Sequence, residues 1–122
     1  MKVLIIDTSS ILFGASNKID VFSAARFAFP DYKLEVSEGV IAELKGIRGS
    51  KRKEKADAGI ALMMLGKSEV EVYKDNGRVD IWIVRRAKQV NAFVCTNDMN
   101  LKRVLKKDKI KTFSMSRDGR IK

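Results

Sequence analysis

Residues 2–10 read KVLIIDTSS, and the fold turns on how this stretch is taken. Val3 to Ile6 are consecutive apolar residues, mostly β-branched. Such a run suits a strand covered on both faces, as in a parallel sheet. It stops at Asp7, which is followed by Thr8, Ser9 and Ser10. Two readings of Asp7 stand side by side. Asp and Ser are common where a strand gives way to a loop, and a carboxylate there is also placed to act at the mouth of a parallel sheet. The choice depends on whether other acids reach the same place.

Outward from this strand, apolar runs and helical patterns alternate. Ile19, Phe22, Ala25 and Phe29 predict a helix closed by Pro30. KLEVS (33–37) predicts a second strand, and Ser37 a cap for a helix with Val40, Ile41, Leu44 and Ile47 on one face. Gly46 to Ser50 break the pattern, and a further helix runs to about Leu65, with Gly66 as its stop. VEVY (70–73) predicts a third strand, followed by the turn signal Asp75-Asn76-Gly77. Asp80 opens a helix with Ile83, Val84, Ala87 and Val90 inward, and AFVCT (92–96) is a fourth buried strand. Asn97-Asp98 cap a helix carrying Leu101, Val104 and Leu105, and IKTFSM (110–115) is the last strand. This alternation over a single domain spanning 1–122 predicts a three-layer α/β fold with a mainly parallel sheet.

Composition narrows the chemistry. The chain has 122 residues, one cysteine (Cys95) and no histidine. The lone cysteine excludes an internal disulfide and argues against a Cys-rich zinc site. Without histidine, the usual general base, the Ser-His-Asp and Cys-His systems and histidine-bound metals are all excluded. Catalysis would fall to carboxylates, hydroxyls and lysines, and carboxylate sites favour hard ions such as magnesium or manganese. No apolar run approaches the roughly 20 residues of a membrane span, and the apolar start is too short for a signal peptide. A cytoplasmic location is therefore expected, with no membrane partner.

Net charge is +10, from 25 basic and 15 acidic residues. Residues 45–55 hold six Lys/Arg against Glu54, and residues 101–122 hold nine against Asp108 and Asp118. Either run alone reads equally well as a solvated face. Two such clusters around an acidic site favour a polyanionic partner, nucleic acid above all.

Each acid has a structural reading beside the functional one. Asp98 stands where a helix needs a cap, and Asp80 in a first turn, where the helix dipole favours it. Glu43 sits beside the apolar stripe, where it needs either a metal or an ion pair with Lys45 or an arginine. Asp20, Asp31, Asp57, Asp75, Asp108 and Asp118 read as ordinary loop or surface acids. Trp82 reads as buried against the sheet or as a stacking platform, and Met63, Met64 and Leu65 as core or dimer contact.

Taken in order, DTSSIL at Asp7, SEGVIAEL at Glu43, GRVDIWIVRRA at Asp80 and TNDMNLKR at Asp98 resemble the PIN-domain ribonucleases, including the VapC toxins. The resemblance spans nearly the whole chain. It implies a central five-stranded sheet in order 3-2-1-4-5, with the strands ending at Asp7 and near Asp98 side by side. It further implies that Asp7, Glu43, Asp80 and Asp98 converge on one or two Mg2+ or Mn2+ ions, with Asp7, Glu43 and Asp98 on the main ion. Ser9 and Thr96 match hydroxyls that support the site. Many members carry a further acid two residues after the TND aspartate, where this chain has Asn100.

The activity so implied is metal-dependent hydrolysis of RNA, either as the toxin of a pair with a small antitoxin protein or as a ribosomal-RNA-processing nuclease. A non-catalytic RNA-binding module and a DNA nuclease are the rivals. The family's habit of forming homodimers extends to this chain as an expectation. Lys45, Arg48, Lys51, Arg52 and Lys53 follow Glu43, Arg85 and Arg86 follow Asp80, and Lys102 and Arg103 follow Asp98. These are the candidate backbone contacts.

Overall fold

The structure is a computed structural model that describes residues 2–122. Five strands, β1 (Val3–Ile6), β2 (Lys33–Ser37), β3 (Glu71–Tyr73), β4 (Phe93–Cys95) and β5 (Thr112–Phe113), form one sheet. Their order is β3-β2-β1-β4-β5, and every pairing is parallel. The helices are α1 (Thr8–Ser16), α2 (Val21–Ala28), α3 (Glu38–Arg48), α4 (Lys55–Lys67), α5 (Val79–Val90) and α6 (Met99–Lys107).

β1 is central and wholly buried, with Leu4 paired to Leu34 on one side and Phe93 on the other. The alternation of its side chains divides the interior in two. Leu4 and Ile6 join Val36 and the inner faces of α1 to α4, while Val3 and Ile5 join Val94, Trp82 and Ile83 of α5, and Leu101 and Leu105 of α6. Helices thus cover both faces, and the strand order reverses at β1. The carboxyl ends of β1 and β4 lie side by side there, tied by the Asp7 N–H donating to the Cys95 carbonyl at 2.9 Å.

Several details differ from the sequence expectation. α1 is a helix that periodicity does not announce. Its buried residues Thr8, Ser10, Ile11, Gly14 and Ala15 include small and polar side chains, so no apolar stripe marks it. It ends where the Ile19 N–H donates to the Gly14 carbonyl at 2.7 Å. A Cβ on Gly14 would lie 2.7 Å from the Ile19 carbonyl oxygen, so this crossing requires glycine. The next helix is correspondingly shorter, and Asp20 is its cap, accepting the Phe22 N–H at 2.9 Å. Ser37 occupies the cap position of α3, yet its hydroxyl makes no cap bond. Gly66 lies within the last turn of α4 instead of ending it. Val104 faces out, 47% exposed. The last strand stops at Phe113, because the Ser114 hydroxyl and Met115 N–H bond instead to the Thr96 carbonyl and the Asn97 side chain.

Candidate active site

The strand ends and the helices that follow them build the site. Asp7 leaves β1 as the N-terminal cap position of α1 and is buried. Its Oδ2 accepts from the Ser9 hydroxyl at 2.7 Å and the Thr96 hydroxyl at 2.8 Å. Those hydroxyls lie 3.1 Å apart and accept in turn from the Asn97 and Asp98 backbone N–H groups. Ser9 and Thr96 therefore hold one Asp7 oxygen in place and tie β1 to the β4–α6 connection. No hydrogen bond engages Asp7 Oδ1.

Asp98 repeats the arrangement. Its Oδ1 caps α6, accepting the Asn100 N–H at 2.8 Å and the Leu101 N–H at 3.3 Å, so the capping reading is correct for that oxygen. Its Oδ2 makes no such bond, and capping and ligation are compatible. Glu43 lies on α3 and Asp80 in the first turn of α5; both are solvent-accessible residues, but the Glu43 carboxyl end is partly sheltered within the cavity.

Asp7, Glu43, Asp80 and Asp98 line one cavity of about 630 Å³, together with Thr8, Ser9, Arg52 and Arg78. None of the four acids forms an ion pair among the described residues, although basic residues outnumber acidic ones 25 to 15. The bridge from Glu43 to Lys45 that would have made Glu43 structural is not formed. The Glu43 carboxyl is pushed above its ordinary value, first by burial and then by repulsion from Asp7, with smaller contributions from Asp75 and Asp80. The Thr8 hydroxyl opposes that shift from close by, but it is buried without closing a hydrogen bond of ordinary geometry.

Oxygen-only donors, mutual repulsion and an unpartnered buried hydroxyl fit a hard divalent ion. Among the described residues, however, no three Asp, Glu, Cys or His side chains stand close enough to form a ready-made ion site. Ion binding would draw the carboxylates inward.

The basic candidates separate. Arg52 lines the acidic cavity. Arg85 lines a larger neighbouring groove of about 990 Å³ between α5 and α6, which shares Asp80, Asp98 and Leu101 with that cavity. Lys53 borders a third hollow, with Ser9 and Leu12. Lys45, Arg48, Lys51 and Arg103 are exposed and Lys102 half-buried, and none of them lines the acidic cavity. Arg103 reaches Asn100 Oδ1 at 2.9 Å.

Arg86 is not free for a substrate. It grips the fully buried Glu35 of β2 through two bonds of 2.8 and 2.9 Å. Trp82 is buried against Tyr73 and offers no stacking face. Leu65 is core, Met64 partly so, and Met63 is exposed. Burial pushes the Cys95 thiol up to about 11, despite a contact with the Ser10 hydroxyl, so it is inert.

Two residues have roles that the sequence did not disclose. Asp75 is no surface acid but is buried, with its Oδ1 on the Gly77 N–H at 2.9 Å and its Oδ2 on the Gly39 N–H of α3 at 3.0 Å. Burial raises its carboxyl, but the Ser37 hydroxyl and those amides outweigh it and hold the group below its usual value. The Ser37 contribution comes without a hydrogen bond of ordinary geometry. Arg78, which follows the same turn, lines the acidic cavity. The D-N-G turn signal and the motif that begins at Gly77 marked this segment, but neither showed that Asp75 is buried or that Arg78 reaches the cavity.

A model described as PIN like domain matches residues 4–117. The chain belongs to the PIN-like domain family. Among relatives, it is 30% identical to Ribonuclease VapC9 of Archaeoglobus fulgidus over 99% of this chain and 88% of that one. Among solved structures, the PIN domain endonuclease Utp24 superposes with a TM-score of 0.78 at 29% identity, covering 98% of this chain and 90% of that one. A domain of a functionally unknown protein from Methanocaldococcus jannaschii has a TM-score of 0.62 at 17% identity, over 95% and 92% of the two chains, and shares the fold. The sheet order is that of a PIN-like fold, as the sequence resemblance implied.

Proposed function

We propose that this PIN-family chain is a divalent-metal-dependent endoribonuclease. One observation carries the reading: four carboxylates from four segments share one cavity, unpaired in a strongly basic chain. Asp7, Glu43 and Asp98 would hold Mg2+ or Mn2+, with Asp80 holding a second ion or acting through water. Such an ion supplies charge neutralisation at the phosphoryl oxygens and a more acidic water.

The chain's own residues do the positioning. Ser9 and Thr96 fix Asp7 through one oxygen and leave the other without a hydrogen bond among the described residues, and the α6 cap fixes Asp98 in the same way. Glu43, whose carboxyl is raised by its surroundings in the ion-free chain, would be drawn to its ionised form by a bound cation. Arg52 draws in a phosphate that the acids alone would repel. The hollows on either side, linked by shared lining residues, suit a single strand better than a duplex.

A VapC-like toxin, silenced by a small antitoxin and dimeric, is the reading favoured by kinship with Ribonuclease VapC9. Likeness to the PIN domain endonuclease Utp24, whose name carries no toxin, keeps the alternative of an RNA-processing nuclease beside it. Co-purification of a short partner chain from the native host would favour the toxin.

The deciding assay offers labelled RNA and matching DNA with Mg2+, Mn2+ or EDTA. We expect RNA cleavage with either ion and none in EDTA, and a loss of at least about 100-fold in Asp7→Asn and Asp98→Asn without loss of fold. Undiminished cleavage in EDTA or by either variant would overturn the mechanism. Cleavage of DNA alone would overturn the substrate.

A further inference from the structure

We propose that Arg78 is a phosphate-binding residue of the acidic cleft, gripping the backbone of the nucleic-acid strand as it crosses the four carboxylates. The inference deepens the nuclease reading and rests on it.

The segment carrying Arg78 is rigidly built. Asn76 (φ 55°) and Gly77 (φ 84°) turn the chain through the left-handed region. Asp75 pins that turn from within, one carboxylate oxygen on the Gly77 N–H and the other on the Gly39 N–H at the start of α3. The Arg78 N–H adds a bond of 3.3 Å to the Asp75 carbonyl. A Cβ at Gly39 would collide with the Asp75 carboxylate, so α3 and the turn meet at a distance that only glycine allows. Arg78 is thereby seated between the helix that bears Glu43 and the helix that bears Asp80.

Its charge then calls for explanation. Arg78 is an exposed guanidinium lining a cavity with four carboxylates, yet it forms no ion pair among the described residues. A few other cations of the chain are held structurally: Arg86 with Glu35, Lys33 with Glu71, Lys88 with Asp108. Arg52, the other guanidinium of the cavity, is held 3.3 Å from its neighbour Glu54. Of the cavity's two guanidiniums, Arg78 is the one with no side-chain bond or ion pair among the described residues. A phosphodiester entering here meets net negative charge unless cations offset it, and a guanidinium matches two phosphate oxygens at once. Because the phosphate is repeated at every nucleotide, Arg78 would contribute affinity without sequence preference.

The test measures binding apart from turnover. A short labelled oligoribonucleotide is titrated by anisotropy, across a NaCl series in Mg2+, with the cleavage-deficient Asp98→Asn chain. Adding Arg78→Met should weaken binding about tenfold and flatten the slope of log affinity against log salt by about 0.7, the loss of one phosphate contact. Arg117→Met, which removes the same charge from the exposed C-terminal turn, should change affinity less than about twofold. Equal affinity and slope with and without Arg78 would overturn the inference while leaving the nuclease reading intact. No RNA binding by the Asp98→Asn chain itself would take both down. If Arg78→Met lowers the melting temperature, the comparison passes to Arg78→Lys, which keeps the charge without the fork. It must then bind more weakly at an unchanged slope, and undiminished affinity would again refute the proposal.

Discussion

Asp7 and Asp98 show how one side chain can serve the fold and still be available for the proposed chemistry. Each commits one oxygen to local structure and leaves the other without a hydrogen bond among the described residues, in a residue that lines the cavity. Glu43 is the residue that the arrangement strains. Its carboxyl lies above the ordinary 4.5 in the folded chain, through burial and then repulsion from Asp7. Between that value and the raised one, the folded chain binds more protons than the unfolded chain, so stability falls as pH rises through the window. Glu43→Gln, which cannot ionise, should therefore melt higher than the unaltered protein at neutral pH in EDTA, and the two should converge below about pH 4. A lower melting temperature for Glu43→Gln at neutral pH would contradict this account. The meeting of the four acids in one cavity followed from the family resemblance, since taken singly Asp80 and Asp98 read equally well as helix-start acids and Glu43 as an ion-pair partner. The place of Asp75 was not legible, because its D-N-G setting describes only its bond to Gly77. Its second partner, Gly39, is remote in sequence and leaves no local pattern.

At the scale of elements, legibility followed periodicity. β1 and β4 read clearly because buried parallel strands are short apolar runs, and β2 showed as the alternation of Leu34 and Val36 with polar residues. α1 did not, because it is packed between α2, α3 and α4 through small and hydroxyl residues. The Glu35–Arg86 pair was equally hidden, since an acid in mid-strand looks solvent-facing until a helix covers it. That pair clamps α5, and with it Asp80, onto the sheet, and Arg86 also stacks over Tyr73 at 4.6 Å. Arg86→Met would leave the Glu35 carboxylate buried with only Lys33, 3.3 Å away, to compensate. We expect it to cost about 3 kcal/mol of stability, most of it recovered in the double variant Glu35→Leu/Arg86→Met. Chemical denaturation measures both, and additive losses in the double variant would refute the clamp.

For the whole molecule, the distribution of charge matters more than its total of +10. The negative groups gather where β1 and β4 end, the place a doubly wound sheet reserves for its ligand. The hollows flanking them carry Arg52, Arg78 and Arg85. That much of the site could be anticipated from the alternation of strands and helices, but which cations face the cleft could not. Lys45, Arg48 and Lys51 are as close to Glu43 in sequence as Arg52 is, yet the turn of α3 and the course of the following connection bring only Arg52 to the cavity. Three arginines along one strand path imply an RNA affinity whose log–log slope against salt is about −2, near 0.7 per phosphate neutralised. The fold itself should be far less sensitive, since its ion pairs apart from Glu35–Arg86 are mostly exposed and weak. Titrating RNA and melting the protein over the same NaCl series separates the two effects. A steep loss of binding with a nearly constant melting temperature is expected, whereas salt-independent binding would mean that the strand is held by something other than these arginines.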